Sequence, residues 1–217
     1  MINIVKADEI AAKLDEYLII DTRSREEYEK LHVDNAVFLP GNQHLKNGEI
    51  VINADEFAVL MSKIGATPQS KILVYGDGDN ARNPARFWLV ARHYGHEAVF
   101  VLDGGWPAAV NLPHSSEIIL TMPTSYVVRK TSGFIISLDE ILENIDKIKF
   151  LDVRTADEYF GRNLVDNPRG GHIPGAVNVD FNAFLAADGN GYFQLDNKIE
   201  AIMNTAGLHK DDFIVPY

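Results

Sequence analysis

The 217-residue sequence contains no cysteine. As printed, it therefore has no disulfide, no thiolate metal ligand and no cysteine nucleophile. Basic residues are also few, because 20 Lys and Arg stand against 31 Asp and Glu, which gives a net charge of −11. Since phosphate backbones and anionic membranes bind clustered positive charge, this balance argues against nucleic-acid and membrane partners.

Long apolar segments are missing as well. No stretch approaches the roughly 18 consecutive apolar residues that a membrane-spanning helix needs. The N-terminus, Met1–Lys6, lacks the basic segment and apolar run of a secretory signal. We therefore predict a cytoplasmic protein. Apolar residues make up 46% and charged residues 24% of the chain, as in an ordinary globular protein of one large domain or two of about 110 residues.

The sequence does contain an internal repeat. Asp21–Tyr28 matches Asp152–Tyr159 in the pattern Asp-x-Arg-Ser/Thr-x-x-Glu-Tyr, at an offset of 131 residues (152 minus 21). The growing offset of later matches indicates insertions in loops, and a period this long indicates a duplicated domain and not a solenoid. The later matches are His32 with His172 at 140 (172 minus 32) and Tyr75 with Tyr217 at 142 (217 minus 75), and the largest insertion lies between Tyr159 and His172.

Strand and helix signals alternate within each copy. Short apolar runs at Leu18–Asp21 and Phe150–Val153 predict buried parallel strands, and further strands are expected at Lys71–Tyr75 and Ala98–Leu102. Strands that alternate with helices predict a parallel sheet covered on both faces. The helix signals are an apolar stripe of Phe57, Leu60, Met61 and Ile64, a capping box from Ser137 to Glu140, and Asn83 as N-cap before Pro84, with Gly95 as the C-terminal stop.

These elements predict two domains. The first spans residues 1–112 and the second spans 133–217, while residues 113–132, with two prolines and several Ser and Thr, are predicted to link them. Tyr75 is followed by a loop, a helix, a strand and an Asp-Gly-Gly-Trp turn, so the second copy lacks a counterpart of about 35 residues (110 minus 75). The predicted fold class is α/β, with two domains that each form a parallel sheet flanked by helices, the second incomplete.

The motifs and their order resemble the tandem rhodanese-like sulfurtransferases of the thiosulfate or 3-mercaptopyruvate type. The resemblance rests on the repeated Asp-x-Arg segment, on Gly171–Asn178 with the sequence Gly-His-Ile-Pro-Gly-Ala-Val-Asn, and on Val101–Trp106, which ends in Asp-Gly-Gly-Trp. It covers essentially the whole chain. It implies that the first domain is non-catalytic and that the second carries the nucleophile.

In this family a Cys directly follows a strand that ends in an apolar residue and Tyr, and it opens a loop that leads into a helix. Backbone N–H groups in such a loop lower the pKa of a thiol and cradle an anion. The matching strand here is Phe213–Tyr217, so the resemblance places the nucleophile directly after Tyr217 and assigns no catalytic residue within the chain. The corresponding loop of the first copy, Gly76–Arg82, holds no thiol, and its carboxylates Asp77 and Asp79 would repel an anionic donor.

Four residues are predicted to support the active site: Asp152, Arg154, His172 and Tyr217. We expect salt bridges from Arg23 to Asp21 and from Arg154 to Asp152 to hold the strand-to-helix turns. We expect His172 to be a structural histidine that hydrogen-bonds its loop. The seven histidines show no metal-ligand spacing, and we predict neither a metal nor a cofactor.

The reaction implied by the resemblance moves sulfane sulfur from thiosulfate to cyanide or a thiol acceptor through an enzyme persulfide. The expected partners are a small anionic sulfur donor and a cyanide or thiol acceptor. Mercaptopyruvate-type relatives carry an Arg where this chain has Glu158, which favours thiosulfate, although Glu158 fits a solvated helix residue equally well. Because its 217 residues hold no nucleophile, the chain alone is predicted to be inactive.

Two hypotheses stay open. The chain is either the front portion of a sulfurtransferase whose nucleophile lies beyond residue 217, which we favour, or a non-catalytic rhodanese-like binding or regulatory module. Within the first, a UGA codon after that of Tyr217 that encodes selenocysteine is a specific hypothesis, because a selenol is ionised at neutral pH and nucleophilic. A Cys, UAA or UAG codon would exclude selenocysteine.

Overall fold

The structure, a computed structural model, describes residues 3–41, 43, 45–46, 50–78, 82–129, 133–165, 167–186 and 191–217. The chain divides into two compact units: unit 1 is Met1–Ile135 with Asn190–Tyr192, and unit 2 is Ile136–Gly189 with Phe193–Tyr217. Among the described residues, no helix has the length and apolar character needed to cross a membrane. The cytoplasmic location stays a prediction.

The strands of unit 1 are β1 (Ile4–Val5), β2 (Tyr17–Asp21), β3 (His32–Val33), β4 (Val37–Phe38), β5 (Leu45–Lys46), β6 (Ile50–Val51), β7 (Lys71–Tyr75), β8 (Val99–Leu102) and β9 (His114–Ser115). Five of them form a parallel sheet in the order β1-β8-β7-β2-β4. The pairs β3–β9 and β5–β6 are antiparallel and separate from this sheet.

The helices of unit 1 are α1 (Ala7–Ile10), α2 (Arg25–Lys30), α3 (Ala54–Lys63), α4 (Arg82–His93) and α5 (Gly105–Ala108), with 3₁₀ turns at Ala11–Glu16 and Ala109–Asn111. Capping boxes begin α2 at Ser24 and α3 at Asn53. The predicted apolar stripe is buried, with three of its members in helix α3 and Ile64 directly after the helix. The central strands β2 and β7 are buried along most of their length, which confirms the predicted parallel strands.

Helix α4 begins earlier than the sequence pattern predicts. The pattern makes Asn83 the N-cap and Pro84 the first helical residue, but the helix already includes Arg82, so this prediction is wrong. Proline fits there because the first N–H groups of a helix have no intrahelical partner. The predicted stop is confirmed, since Gly95 adopts a φ of 79° and its N–H donates to the Arg92 carbonyl.

The described part of the segment predicted as a linker packs on unit 1. Within it, β9 pairs with β3, and the Thr124 carbonyl accepts a hydrogen bond of 2.5 Å from the Ser62 hydroxyl. Tyr126 is buried, and its hydroxyl lies 3.0 Å from Nδ1 of His96. Residues 113–129 therefore form part of the surface of unit 1.

The elements of unit 2 are α6 (Leu138–Glu143), β10 (Ile148–Asp152), α7 (Ala156–Tyr159), β11 (Val177–Asn178), a 3₁₀ turn at Phe181–Phe184, α8 (Asp196–Thr205) and β12 (Phe213–Pro216). The strands form a parallel sheet in the order β11-β10-β12. This order repeats β4-β2-β7 of unit 1. The predicted capping box from Ser137 to Glu140 is present and begins α6.

The core of unit 2 is small. Phe150, Ala176 and Val215 are buried, and partly buried apolar side chains, among them Ile141 and Tyr217, pack against them. Because β10 is paired on both sides, its end at Asp152 is enclosed, and the carboxylate there is fully buried. The α/β class with a parallel sheet in each unit is as predicted; the incompleteness of the second domain stays a prediction.

Candidate functional site

The candidate site lies at the carboxyl edge of the unit 2 sheet. Asp152 is the last residue of β10, and Tyr217 directly follows β12. The Tyr217 N–H donates to the Leu151 carbonyl at 3.0 Å, and the Val153 N–H donates to the Tyr217 carbonyl at 3.2 Å. Ligands of open α/β sheets bind outside the carboxyl ends of the strands, so both residues lie at the edge where such ligands bind.

Arg154 forms a fork with the buried carboxylate of Asp152, which confirms the predicted salt bridge. Its Nε donates to Oδ1 at 3.0 Å, and its Nη2 donates to Oδ2 at 2.6 Å and to the Gly171 carbonyl at 2.9 Å. Burial alone would raise the pKa of Asp152, but hydrogen bonds from Arg154 and Tyr217 outweigh burial and lower it. The carboxylate therefore stays ionised and ties the turn after β10 to the loop at Gly171.

The hydroxyl of Tyr217 connects the end of β12 to the same loop. It accepts a hydrogen bond of 3.0 Å from the N–H of Ile173 and donates one to Asp152. Burial, together with the hydrogen bond and charge of Asp152, raises the pKa of Tyr217, so the phenol keeps its proton. Because Tyr217 is held at its hydroxyl and at its backbone, the direction in which the strand ends is fixed.

His172 packs beside this cluster without joining it. Its ring stacks on Tyr159 with 3.6 Å between centroids, and its Nδ1 lies 2.8 Å from the Tyr159 carbonyl. Donation to that carbonyl places a proton on Nδ1. His172 thus makes a structural hydrogen bond as expected, but its partner is the last residue of α7 and not a residue of its own loop. Among the four predicted support residues, the structure brings together Asp152, Arg154 and Tyr217, while the contact from the loop comes from Ile173.

Glu158 has a local structural role. Its carboxylate accepts hydrogen bonds from the N–H of Thr155 at 3.0 Å and from the Thr155 hydroxyl at 2.6 Å, as the last member of a capping box. Glu27 makes the same bonds to Ser24 in unit 1. Glu158 is therefore a partly exposed helix residue whose carboxylate caps α7, which agrees with the alternative that its role is structural.

Unit 1 carries the same cluster. Arg23 donates to Asp21 at 2.7 Å, and the Tyr75 hydroxyl donates to Asp21 at 2.5 Å and accepts from the N–H of Val33 at 3.1 Å. The copies differ in exposure, because the Arg23 side chain is 3% exposed and that of Arg154 is 30% exposed. Trp106 explains part of the difference, since its ring lies 3.8 Å from the Arg23 guanidinium.

The residue after Tyr75 in unit 1 is Gly76, which corresponds to the position predicted for the nucleophile. A Cβ added at Gly76 would lie 3.0 Å from the Thr22 hydroxyl and 3.1 Å from Cδ of Pro84. The Thr22 hydroxyl or the Pro84 ring would have to shift by a few tenths of an ångström to admit a side chain there. Asp79, whose carboxylate is predicted to repel an anionic donor, lies outside the described residues.

Part of the site was not predicted from the sequence. The Ile173 N–H, the shared role of the Tyr75 and Tyr217 hydroxyls and the stacking of Trp106 on Arg23 emerge only from the structure. The offset match of Tyr75 with Tyr217 was the available signal for the hydroxyls. Within the described parts of the chain, no group of three or more His, Cys, Asp or Glu side chains is placed to hold a metal ion.

The sequence is similar to that of a known domain family and to named relatives. A profile of the rhodanese-like domain matches residues 6–112 and 137–217. The chain is 31% identical over 177 residues to 3-mercaptopyruvate sulfurtransferase of Mus musculus, covering 76% of this chain and 60% of that protein. It is 30% identical over 203 residues to putative thiosulfate sulfurtransferase 1 of Mycobacterium bovis, covering 88% of this chain and 72% of that protein.

A solved structure of similar fold is that of a 3-mercaptopyruvate sulfotransferase of Escherichia coli. The TM-score is 0.86 at 24% identity, and the match covers 100% of this chain and 88% of that one. At this identity the likeness concerns the fold. The chain spans 60% of the length of the mouse relative.

Proposed function

Because this chain belongs to the rhodanese-like domain family, we propose that unit 2 supports sulfur transfer by a nucleophile placed directly after Tyr217. The reaction moves sulfane sulfur from thiosulfate to cyanide or a thiol acceptor. Unit 1 supplies no nucleophile, since the chain has no cysteine and the corresponding position is the crowded Gly76. The observation that carries the proposal is the Asp152–Arg154–Tyr217 cluster at the carboxyl edge of the sheet.

The cluster suits this chemistry in two ways. Tyr217 is fixed between Asp152 and the Ile173 N–H, so the residue that follows leaves the sheet in a defined direction. Arg154 is 30% exposed and keeps its positive charge, because the hydrogen bond to Asp152 raises its pKa. A partly exposed guanidinium near the nucleophile favours an anionic nucleophile and an anionic donor.

The proposed reaction has two steps. The nucleophile, as thiolate or selenolate, attacks the outer sulfur of thiosulfate, the S–S bond of thiosulfate breaks, and sulfite leaves with the bonding electron pair. Cyanide then attacks the outer sulfur of the enzyme-bound persulfide, thiocyanate forms, and the anionic nucleophile is regenerated. A thiolate acceptor reacts in the same way and becomes a persulfide.

We propose thiosulfate as the donor because a carboxylate, Glu158, stands where mercaptopyruvate-type relatives have an arginine. Its carboxylate is engaged in capping bonds to Thr155, and it supplies no cation for a donor's carboxylate. The ratio of kcat/KM for thiosulfate and for 3-mercaptopyruvate tests this point separately from the placement of the nucleophile.

The test of the placement begins with the coding sequence after Tyr217. If it continues with a Cys or selenocysteine codon and a loop that leads into a helix, the encoded protein should form thiocyanate from thiosulfate and cyanide. Serine in place of that residue should abolish turnover, and the 217-residue chain should give none above the blank. Turnover by the 217-residue chain would show the placement to be wrong. A reading frame that closes after Tyr217 would favour the non-catalytic binding module.

A further inference from the structure

Unit 1 contains an apolar cavity that is distinct from the carboxyl-edge cluster. The cavity has a volume of about 500 Å³ and lies between the end of β4, helix α3 and the extended segment 118–121. Its inner wall is formed by Leu39, Leu60 and Ile64, which belong to the buried core. This volume is in the range of small-molecule sites, whose walls are mostly apolar.

The segment 118–121 crosses the cavity as a strap that is held on both sides. The Ile119 N–H donates to the Tyr28 hydroxyl at 3.3 Å, and the Thr121 hydroxyl donates to the Lys63 carbonyl at 2.6 Å. Since Tyr28 is fully buried and Lys63 ends helix α3, both anchors belong to the fixed part of unit 1. The strap therefore gives the cavity a defined outer wall.

The strap exposes apolar side chains at the cavity mouth. Ile118 and Leu120 line the cavity and are 52% and 89% exposed. Each Å² of apolar surface that these two side chains expose to water is unfavourable by about 25 cal/mol relative to burial. A ligand that entered the cavity along the strap would cover both of them.

The charged residues at the cavity are basic. Arg25 and Lys63 line it, and none of its described lining residues is acidic, although the whole chain has a net charge of −11. Arg25 forms an exposed pair with Glu29 at 3.1 Å, which is a weak type of interaction, and its guanidinium lies 4.7 Å from the centroid of the Phe38 ring. Lys63 is exposed and forms no ion pair with a described residue. Two cations are thus available at the rim of an apolar cavity.

We propose that this cavity binds an alkyl chain that ends in an anionic head group, such as a medium-chain carboxylate. The chain lies against Leu39, Leu60 and Ile64 and covers Ile118 and Leu120, while the head group lies between Arg25 and Lys63. The described lining residues include no acidic one, which disfavours a cationic ligand, and the apolar inner wall disfavours a highly polar anion. The site is independent of sulfur transfer.

The proposal is tested with the whole 217-residue chain by isothermal titration calorimetry and by NMR chemical-shift changes. The probes are decanoate, 1-decanol and decyltrimethylammonium, all below their aggregation concentrations. We expect one decanoate per chain and about tenfold weaker binding of the alcohol, because the alcohol lacks the charge-assisted bonds. The ammonium compound should not bind, because its head group has the same charge as Arg25 and Lys63. The shifted amides should include those of residues 118–121.

Two pairs of variants keep the test specific. Leu120→Glu and Lys63→Glu should each weaken decanoate binding by about tenfold or more. Leu120→Glu adds a charge that repels the head group, and Lys63→Glu also removes one of its two cations. Met122→Glu is the control for the strap, because Met122 is 83% exposed and does not line the cavity. Lys13→Glu is the control for net charge, because Lys13 is exposed and lies outside the cavity.

Three results would overturn the proposal. They are equal binding of the three probes, equal effects of the paired variants, and no decanoate binding at millimolar concentration. A concentration-dependent dimer that Leu120→Glu dissociates, without decanoate binding, would assign the surface to a second copy of the chain instead.

Discussion

Tyr217 accepts a hydrogen bond of 3.0 Å from the N–H of Ile173, which lies fourteen residues beyond Tyr159, the last residue of α7 (173 minus 159). In unit 1, Tyr75 accepts one of 3.1 Å from Val33. Both phenols also donate to the aspartate at the end of the neighbouring strand. One hydroxyl therefore joins a strand end, a buried carboxylate and a loop, and it does so twice in one chain.

The two phenols provide a matched pair of variants. Tyr75→Phe should lower the free energy of unfolding by about 2 kcal/mol, because it leaves the buried Asp21 and the Val33 N–H each short of a partner. Tyr217→Phe should lower it by about 1 kcal/mol, because water reaches the more exposed Ile173. Native-state hydrogen exchange measures both locally, at the amides of Val33 and Ile173. A larger acceleration of exchange at Ile173 in Tyr217→Phe than at Val33 in Tyr75→Phe, each compared with the unsubstituted chain, would contradict this ranking.

His96 should make unit 1 sensitive to acid. It is buried, with Nε2 3.0 Å from the Ser70 carbonyl and Nδ1 3.0 Å from the Tyr126 hydroxyl, so the neutral ring with its proton on Nε2 satisfies both. Burial, and to a smaller extent the charge of Arg92, lower its pKa from 6.5. The unfolded chain therefore binds more protons, and stability that is present above pH 6.5 should be lost as the pH falls below that value.

Urea unfolding measured from about pH 8 to 5 tests this sensitivity. His96→Gln should lower stability at the upper end of the range and flatten its decline towards the lower end. His209→Gln is the control, because His209 is exposed. An unchanged slope in His96→Gln would exclude His96 as the source of the acid sensitivity.

The capping role of Glu158 leads to another prediction. Glu158→Ala removes the carboxylate that bonds to Thr155, and it should destabilise unit 2 by about 1 kcal/mol, as loss of a helix cap does. Asp157→Ala is the matched control and should change stability by less than about 0.5 kcal/mol, because it breaks only an exposed pair with Arg162. The measurement is the urea midpoint followed by NMR signals of α7. Equal effects would remove the capping explanation.

The sequence was sufficient for much of the fold because its signals are local or repeated. The apolar runs of β2 and β7 and the Ser137–Glu140 box depend on neighbouring residues, and they appear where predicted. The predicted start of α4 is wrong because an Asn-Pro pair fits two places equally well. It suits an N-cap followed by the first helical residue, and it also suits the second and third residues of a first turn. The repeat also located the Asp–Arg bridges of both units.

The rest depends on contacts between residues that are distant in the chain. Trp106 meets Arg23 only because β8 and β2 end at the same sheet edge. The strap over the cavity is a stretch that composition marks as a linker, and only its hydrogen bonds to Tyr28 and Lys63 place it on unit 1. Such pairings leave no periodic pattern in the sequence.

Gly76 offers a direct test of why unit 1 has no nucleophile. Gly76→Cys places a thiol after the strand end that corresponds to Tyr217, but its Cβ would lie 3.0 Å from the Thr22 hydroxyl and 3.1 Å from Pro84. We expect no thiocyanate from thiosulfate and cyanide, and a loss of about 1–3 kcal/mol of stability from overpacking. Gly133→Cys is the matched control, because nothing lies within 4 Å of a Cβ there and its stability should be unchanged. Turnover by Gly76→Cys above that of Gly133→Cys would mean that the missing thiol alone, and not the crowding around it, keeps unit 1 inactive.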